Sequence, residues 1–247
     1  MDSTSKPQDK SRSKKMKSTD VIILCGGRGT RFETVSESKP KILANIKGRP
    51  LLDILLENLE KHGFKRFILA IGYRKDQVIE HVKNMEKNIV LSSEDRPLGT
   101  GGALKAAKEL ISSEDFVAMN GDVLCEIDYT TMAMQHLESK SDLTMAITKT
   151  SYSKDYGNIN LDKNKKVKNF SEKSKNDKET YVSAGTYLMN KKIFQYFPKK
   201  KTFSLEVDFF QKNPKKINPF ILKNNFLDIG TPEKYKLANN LESIQEI

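Results

Sequence analysis

Three glycines, two arginines and two lysines follow in close order in VIILCGGRGTRFETVSESKPK, residues 21–41. An apolar run ends there and a glycine-rich turn begins. Backbone N–H groups around Gly26, Gly27 and Gly29 can therefore approach an anion with no side chain in the way. Arg31 adds a planar donor suited to phosphate oxygens. Two carboxylates lie further on. Asp122 follows a buried-strand pattern and a glycine, which places it at a strand's C-terminal end, where open α/β sheets hold ligands. Asp228 sits in LDIG, between apolar residues and the start of a helix. The glycine turn is not a Walker loop, because the pattern G-x-x-x-x-G-K-[ST] is absent. It is not a dinucleotide fingerprint either, since Phe32 stands at the third glycine position. The position suits a phosphate, and from the loop alone a merely structural turn stands as the other reading.

The elements around these residues alternate. DVIIL (20–24) reads as a buried strand. PLLDILLENLEKHG (50–63) has apolar residues at helical spacing, with Pro50 near its start and Gly63 as a stop. Strands follow at 66–72, 88–93, 115–122 and 142–148, and helices at 75–85, 99–111 and 129–140. This rhythm predicts a Rossmann-like, three-layer α/β/α fold with a mostly parallel mixed sheet. After about residue 150 the helices thin out. YGNINLD, KVKNFSEK and TYVSAGTYLMN read as strands of a part that covers the site. A closing helix is expected over 231–245, with Thr231 as N-cap, Pro232 in the first position and Glu233 at the positive end of the dipole. No hexapeptide repeat follows, so no C-terminal β-helix is expected. The predicted organisation is a basic, disordered tail over 1–18 and one domain over 19–247. Its alternating part spans 19–150, and its second part with the closing helix spans 151–247.

Composition narrows the classes. The chain has 247 residues, 37% hydrophobic and 30% charged, with a net charge of +11. Lys6, Lys10, Arg12, Lys14, Lys15 and Lys17, against Asp2 and Asp9, account for +4 of that total. The remainder is spread over lysine-rich loops without an aromatic-rich RNA-binding pattern. A field that attracts anionic substrates fits better than a nucleic-acid partner. No apolar run approaches a membrane span, and no apolar segment follows the basic start, so a cytoplasmic protein is expected. Cys25 and Cys125 lie far apart and suggest neither a disulfide framework nor a metal knuckle. His62, His81 and His136 fall on expected helices and read as surface or structural.

Five stretches together, LCGGRGTRF, SKPKILANIKGRPLL, EDRPLGTGGAL, MNGDVL and FLDIGTPEKY, resemble in order and spacing the sugar-1-phosphate nucleotidyltransferases. YGNI, FSEK and SAGTYLMN resemble that family's sugar-side motifs. The resemblance covers residues 19–245. Among its branches it is closest to the D-glycero-D-manno-heptose 1-phosphate guanylyltransferases, with mannose-1-phosphate transferases near.

The resemblance implies one reaction, in which a sugar 1-phosphate oxygen attacks the α-phosphorus of an NTP, giving an NDP-sugar and pyrophosphate. No His, Cys or Ser triad is expected, because the sugar phosphate is the nucleophile. Arg31 and Lys41 take the catalytic roles. Arg31 would hold the triphosphate, and Lys41 would neutralise charge near the α-phosphate, with Lys39 as its rival. Leu24, Gly26, Gly27, Gly29, Thr30, Arg31, Glu94, Pro97, Gly99 and Thr100 would line the nucleotide. Gly99 would let a flat base come close, and Gly101 and Gly102 would help start a helix. Tyr156, Gly157, Glu172, Lys173 and Gly185 would shape the sugar-phosphate site. Asp122 and Asp228 would hold Mg²⁺, a hard cation that takes few protein carboxylates. GTP and the heptose 1-phosphate are the favoured substrates, for surface polysaccharide or lipopolysaccharide synthesis. Mannose, glucose or N-acetylglucosamine 1-phosphate, or phosphocholine with CTP, are alternatives within the class. A non-catalytic regulatory subunit is the alternative outside it. A homodimer is compatible with the resemblance.

Overall fold

The computed structural model describes residues 16–29, 39–151, 156–171, 179–223 and 226–240. Arg31, Thr30, Glu172, Lys173 and residues 1–15 lie outside the described residues. Among the described residues a nine-stranded sheet forms the centre. Its parallel half is β5 (Asn88–Ser93), β4 (Arg66–Ile71), β1 (Asp20–Leu24) and β6 (Asp115–Asn120), in that spatial order. The long β11 (Thr180–Asn190) pairs antiparallel with β6. Beyond it lie β9 (Asn158–Leu161), β10 (Val167–Ser171), β8 (Leu143–Thr150) and β12 (Asn218–Ile221). Only β11 and β10 run against the other strands of this sheet. The expected mostly parallel mixed sheet is present, and no β-helix occurs among the described residues.

β1 forms because five consecutive residues, DVIIL, suit a strand buried on both faces. Val21 and Ile23 enter one core and Ile22 the other. Phe67, Leu69 and Ile71 of β4 divide from Ile68 in the same way. Asp20, at the lower end of β1, is buried but satisfied. It pairs with Arg66 at 2.8 Å and accepts the backbone N–H of Ser113 at 3.0 Å.

The first core lies under α1 (Leu51–Lys61), α2 (Lys75–Val82), α4 (Tyr129–Ser139) and α5 (Pro232–Asn240). α1 buries Leu51, Leu52, Ile54, Leu55, Leu56 and Leu59 on one stripe. The second core lies under α3 (Gly99–Ala106) and a set of short helical turns, including 191–196 and a π-turn, Leu205–Phe210. Helices therefore cover both faces, but one face is mostly aromatic packing under short turns. Phe197 stacks edge-on against Phe203 and Phe209, with centroids 5.4 and 5.0 Å away.

Two expectations are corrected here. Met16, placed in the tail by its charged surroundings, is buried in the first core. The helix expected over 99–111 breaks at Ala106 and continues only as a 3₁₀ turn at 108–110. The histidines are structural. His136 is buried with Nδ1 2.8 Å from Thr144 Oγ1, and His81 Nε2 lies 2.7 Å from Asp53.

Candidate active site

The ends of β1 and β6 lie side by side, with β4 on the other flank of β1. The chain reverses its direction of spread across the sheet at this point, which opens a crevice above the strand ends. Leu24 ends β1, and its carbonyl accepts the Gly121 N–H at 2.9 Å. That bond ties the glycine loop to the turn that carries Asp122. The Gly26 carbonyl in turn accepts the Tyr73 N–H at 3.0 Å. Gly29 has φ +63°, a conformation that a side chain would strain.

Lys41 arrives on a 3₁₀ turn whose next two residues, Ile42 and Leu43, are buried. Their burial fixes the turn and aims Lys41 at Asp122, Nζ to Oδ2 2.5 Å. Lys39 is exposed. Asp228 comes from far along the chain on β13 (Phe226–Asp228), which pairs antiparallel with β7 (Val123–Cys125). The Ile229 N–H donates to the Asp122 carbonyl at 2.9 Å. This small ribbon brings the two aspartates to one cavity.

Asp228 is heavily bonded. Oδ1 accepts the Gly230 N–H at 2.9 Å, and Oδ2 accepts Lys234 Nζ at 2.8 Å. Oδ2 also accepts the Tyr156 hydroxyl, which itself accepts from Lys234 at 2.6 Å. Burial works against the charged carboxylate. The bonds from Lys234 and Tyr156 outweigh it and hold the pKa below the usual carboxylate range. The Tyr156 ring packs edge-on against Phe226 with centroids 5.1 Å apart.

A cavity of about 370 Å³ joins these groups. Lys41, Asp122, Tyr156, Gly157, Gly185 and Asp228 line it, as does a polar wall the sequence reading missed: Asn120, Ser183, Ser204, Glu206 and Gln211. Asn120 Oδ1 is buried and has no hydrogen-bond partner among the described residues. Gly185, at φ +65°, lies where β11 changes register with β8, and a side chain there would meet Asn120. Both cysteine thiols are pushed up to about 12 by burial, so neither is a nucleophile.

The donor set suits a hard divalent cation. Two carboxylates meet at one cavity, and each already holds an ammonium group, Lys41 on Asp122 and Lys234 on Asp228. Among the described residues no third His, Cys, Asp or Glu joins them. A cation held here would complete its shell from substrate phosphate and water, as Mg²⁺ does.

The nucleotide side holds Glu94 and the 97–102 loop. The Glu94 carboxylate lies against the glycine loop: a Cβ on Gly26 would sit 2.9 Å from Oε1. Burial raises the Glu94 pKa, and a bond from the Leu98 N–H pulls it back in part. Pro97 and Gly99 are exposed. The glycines of PLGTGGA start the helix at Gly99, and they also lie against the 201–203 segment. A Cβ on Gly99 would meet the Phe203 carbonyl at 2.6 Å, and one on Gly101 would meet the Phe203 ring at 2.1 Å. The loop is glycine-rich on its inner side so that residues 201–203 can lie directly on it. Gly101→Ala is accordingly expected to destabilise the protein by about 1–3 kcal/mol through overpacking. A urea melt measures this, and an unchanged midpoint would mean that the Phe203 ring yields freely. Near the same loop, Arg74 Nη1 is buried without a partner among the described residues.

An open sheet with a glycine loop, a lysine and paired carboxylates at its strand ends defines an α/β enzyme that handles nucleotide phosphates. The chain belongs to the nucleotidyl transferase family, whose profile matches residues 20–243. It is 36% identical to the D-glycero-alpha-D-manno-heptose 1-phosphate guanylyltransferase of Campylobacter jejuni, over 89% of this chain and 99% of the relative. It is 35% identical to the protein of that name from Aneurinibacillus thermoaerophilus, over 89% and 96%. Among solved structures, HddC from Yersinia pseudotuberculosis complexed with GMP-PN superposes with a TM-score of 0.78 at 37% identity, over 90% of this chain and 98% of that one.

Proposed function

We propose that this protein transfers the guanylyl group of GTP to D-glycero-D-manno-heptose 1-phosphate, giving a GDP-heptose and pyrophosphate. The observation that carries the reading is the convergence of Lys41, Asp122 and Asp228 on one cavity beside the glycine loop. The near full-length match to two guanylyltransferases of that name supports the choice of base and sugar.

The site's own residues account for what two reacting anions need. Backbone N–H groups of 26–29 and Arg31 hold the triphosphate. Lys41 leaves Asp122 for the α-phosphate and balances charge as pyrophosphate departs. Asp122 and Asp228 hold Mg²⁺, which when bound would draw charge from the reacting phosphates. Lys173 grips the phosphate of the incoming sugar phosphate and Glu172 accepts from its hydroxyls, with Tyr156, Gly157 and Gly185 shaping the space for its ring. The reaction belongs in the cytoplasm, where GTP is available; among the described residues no helix is long and apolar enough to cross a membrane.

Glu94 is the residue that would read guanine. Guanine offers adjacent N1–H and N2–H donors on one edge, and a carboxylate accepts both. Glu94→Gln puts a donor against a donor, so preference for GTP over the other NTPs is expected to fall by about 10- to 100-fold. Because burial raises the Glu94 pKa, its charged form is lost at a higher pH than an exposed glutamate's. KM for GTP is therefore expected to rise as pH falls through that range, and less so in the variant. Unchanged NTP preference would take Glu94 out of the base pocket.

The deciding experiment follows pyrophosphate release with Mg²⁺ across four NTPs and a panel of sugar 1-phosphates including manno-heptose. Release confined to GTP and the heptose phosphate supports the proposal. Release with mannose 1-phosphate or with CTP and phosphocholine reassigns the substrates. No release with any pair returns the regulatory-subunit reading.

A further inference from the structure

The segment Phe203–Glu206 touches both halves of the site. Its Phe203 N–H donates to the Leu98 carbonyl at 2.9 Å, and its Phe203 carbonyl accepts from the N–H groups of Gly101 and Gly102 at 3.0 and 3.2 Å. Thr100 supplies the side-chain link. Its hydroxyl accepts the Leu205 N–H at 2.9 Å and donates to Glu206 Oε2 at 2.9 Å. Ser204 donates to the same oxygen at 2.7 Å, and Ser204 in turn receives the N–H groups of Glu206 and Val207 at 3.2 Å each. The two hydroxyl donors, Thr100 and Ser204, converge on Oε2. Glu206 lines the cavity, and its Oε1 has no hydrogen-bond partner among the described residues.

Asp122 and Asp228 are compensated by lysines, whereas the Glu206 carboxylate is bonded only to hydroxyls among the described residues; a carboxylate so placed does not suit a phosphate. It repels the anion unless it faces the other end of the molecule. The cavity has a cationic end at Lys41 and a polar, hydroxyl-rich wall at Ser183, Ser204 and Gln211. Glu206 stands in that wall. A sugar 1-phosphate has the matching polarity, with a dianion at one end and hydroxyl donors along the rest. An ionised carboxylate with one oxygen anchored and the other free is a strong, directional acceptor for such hydroxyls.

We propose that Glu206 is a specificity-determining residue whose Oε1 accepts a ring or side-chain hydroxyl of the acceptor sugar, and that Thr100 is the positioning residue that holds it. This inference rests on the reading of the cavity as a sugar 1-phosphate site. Thr100, expected to line the nucleotide, donates its hydroxyl to Glu206 Oε2 and accepts the Leu205 N–H. The loop that meets the NTP thereby sets the stance of the group that reads the sugar.

The test measures steady-state kinetics and calorimetric binding of the sugar 1-phosphate panel for wild type, Glu206→Gln, Thr100→Val and Thr100→Ser. Glu206→Gln is expected to raise KM and Kd for the best acceptor by about 10- to 100-fold, with KM for NTP little changed. Thr100→Val is expected to raise acceptor KM by about 3- to 10-fold, and Thr100→Ser to restore it. Monodeoxy analogues of the best acceptor give the readout a merely structural role would not move. The analogue lacking the hydroxyl in question should lose affinity for wild type and lose no more in Glu206→Gln. Thermal melts of all four proteins separate folding from recognition. Equal acceptor Kd in wild type and Glu206→Gln overturns the inference. If the best acceptor is not the heptose phosphate but Glu206→Gln still loses it, the substrate assignment fails and the inference stands. If no sugar 1-phosphate binds wild type, both fall.

Discussion

Asp228→Asn is expected to lower kcat by about 10²-fold or more while leaving the protein folded, because it removes charge from a metal site at nearly constant shape. The substitution keeps an oxygen for the Gly230 N–H. It loses the anion that Lys234 and Tyr156 now serve. That anion is kept charged despite burial, so its ionised form is what the site is built around. The linkage sign follows: a carboxylate whose folded pKa is depressed contributes stability above its unfolded pKa, and that stability fades as pH falls through the folded value. The variant should therefore lose stability near neutrality and converge on wild type in acid. Turnover within a few-fold of wild type at saturating Mg²⁺ would remove Asp228 from the proposed metal site. Raising Mg²⁺ should recover part of the loss if the defect is in cation affinity.

Lys41→Met is the second large effect, expected to cost about 10²- to 10³-fold in kcat, in the range seen when one preorganised charge-stabilising donor is deleted. Methionine keeps the length of the stem that lies above buried Ile42 and Leu43. Only the ammonium is lost. Lys41 is bonded to Asp122 at 2.5 Å with no substrate present, so the resting pair must open for the lysine to reach phosphate. Two consequences separate this role from a simple structural ion pair. The variant should bind Mg²⁺ at least as tightly as wild type, since Asp122 is freed from its competitor, yet turn over slowly. Lys39, exposed and two residues away, should not substitute for it. A Lys39→Met protein with the same loss would reverse the two assignments.

Much of the fold was legible because its first half is written in long, uniform elements. DVIIL and RFILAI are continuous apolar runs that only a doubly covered strand can use, and α1 repeats leucine on one stripe. The elements that escaped are short or irregular. β7 and β13 have three residues each, too few to show a period, yet they carry Asp228 to its place. β12 contains Pro219, which argues against a strand; it is tolerated because β12 pairs with β8 alone and so lies at an edge. The π-turn at 205–210 buries Leu205, Phe209 and Phe210, but six residues are too few to show a helical period.

The site was legible in the same uneven way. Lys41, Asp122 and Asp228 stand in motifs, and the motifs named them. Lys234 could not be picked out of a lysine-rich chain, and its bond to Asp228 exists only once the closing helix packs. Asn120 and Glu206 carry no local signature, since their importance lies in which wall of the cavity they reach. The PLGTGGA glycines were visible, but the packing of Lys201 and Phe203 on their inner side was not.

The β7–β13 ribbon also sets an order of events on the ribosome. β1, β4, β5 and β6 emerge early and can pair with one another, as domains tend to fold from the N-terminus during synthesis. Asp122 is then in place, but Asp228 and Lys234 are still inside the exit tunnel or unmade. A growing chain can thus own a sheet and a glycine loop and still lack half of its carboxylate pair. The carboxylate pair would be complete only once β13 and α5 have emerged and docked.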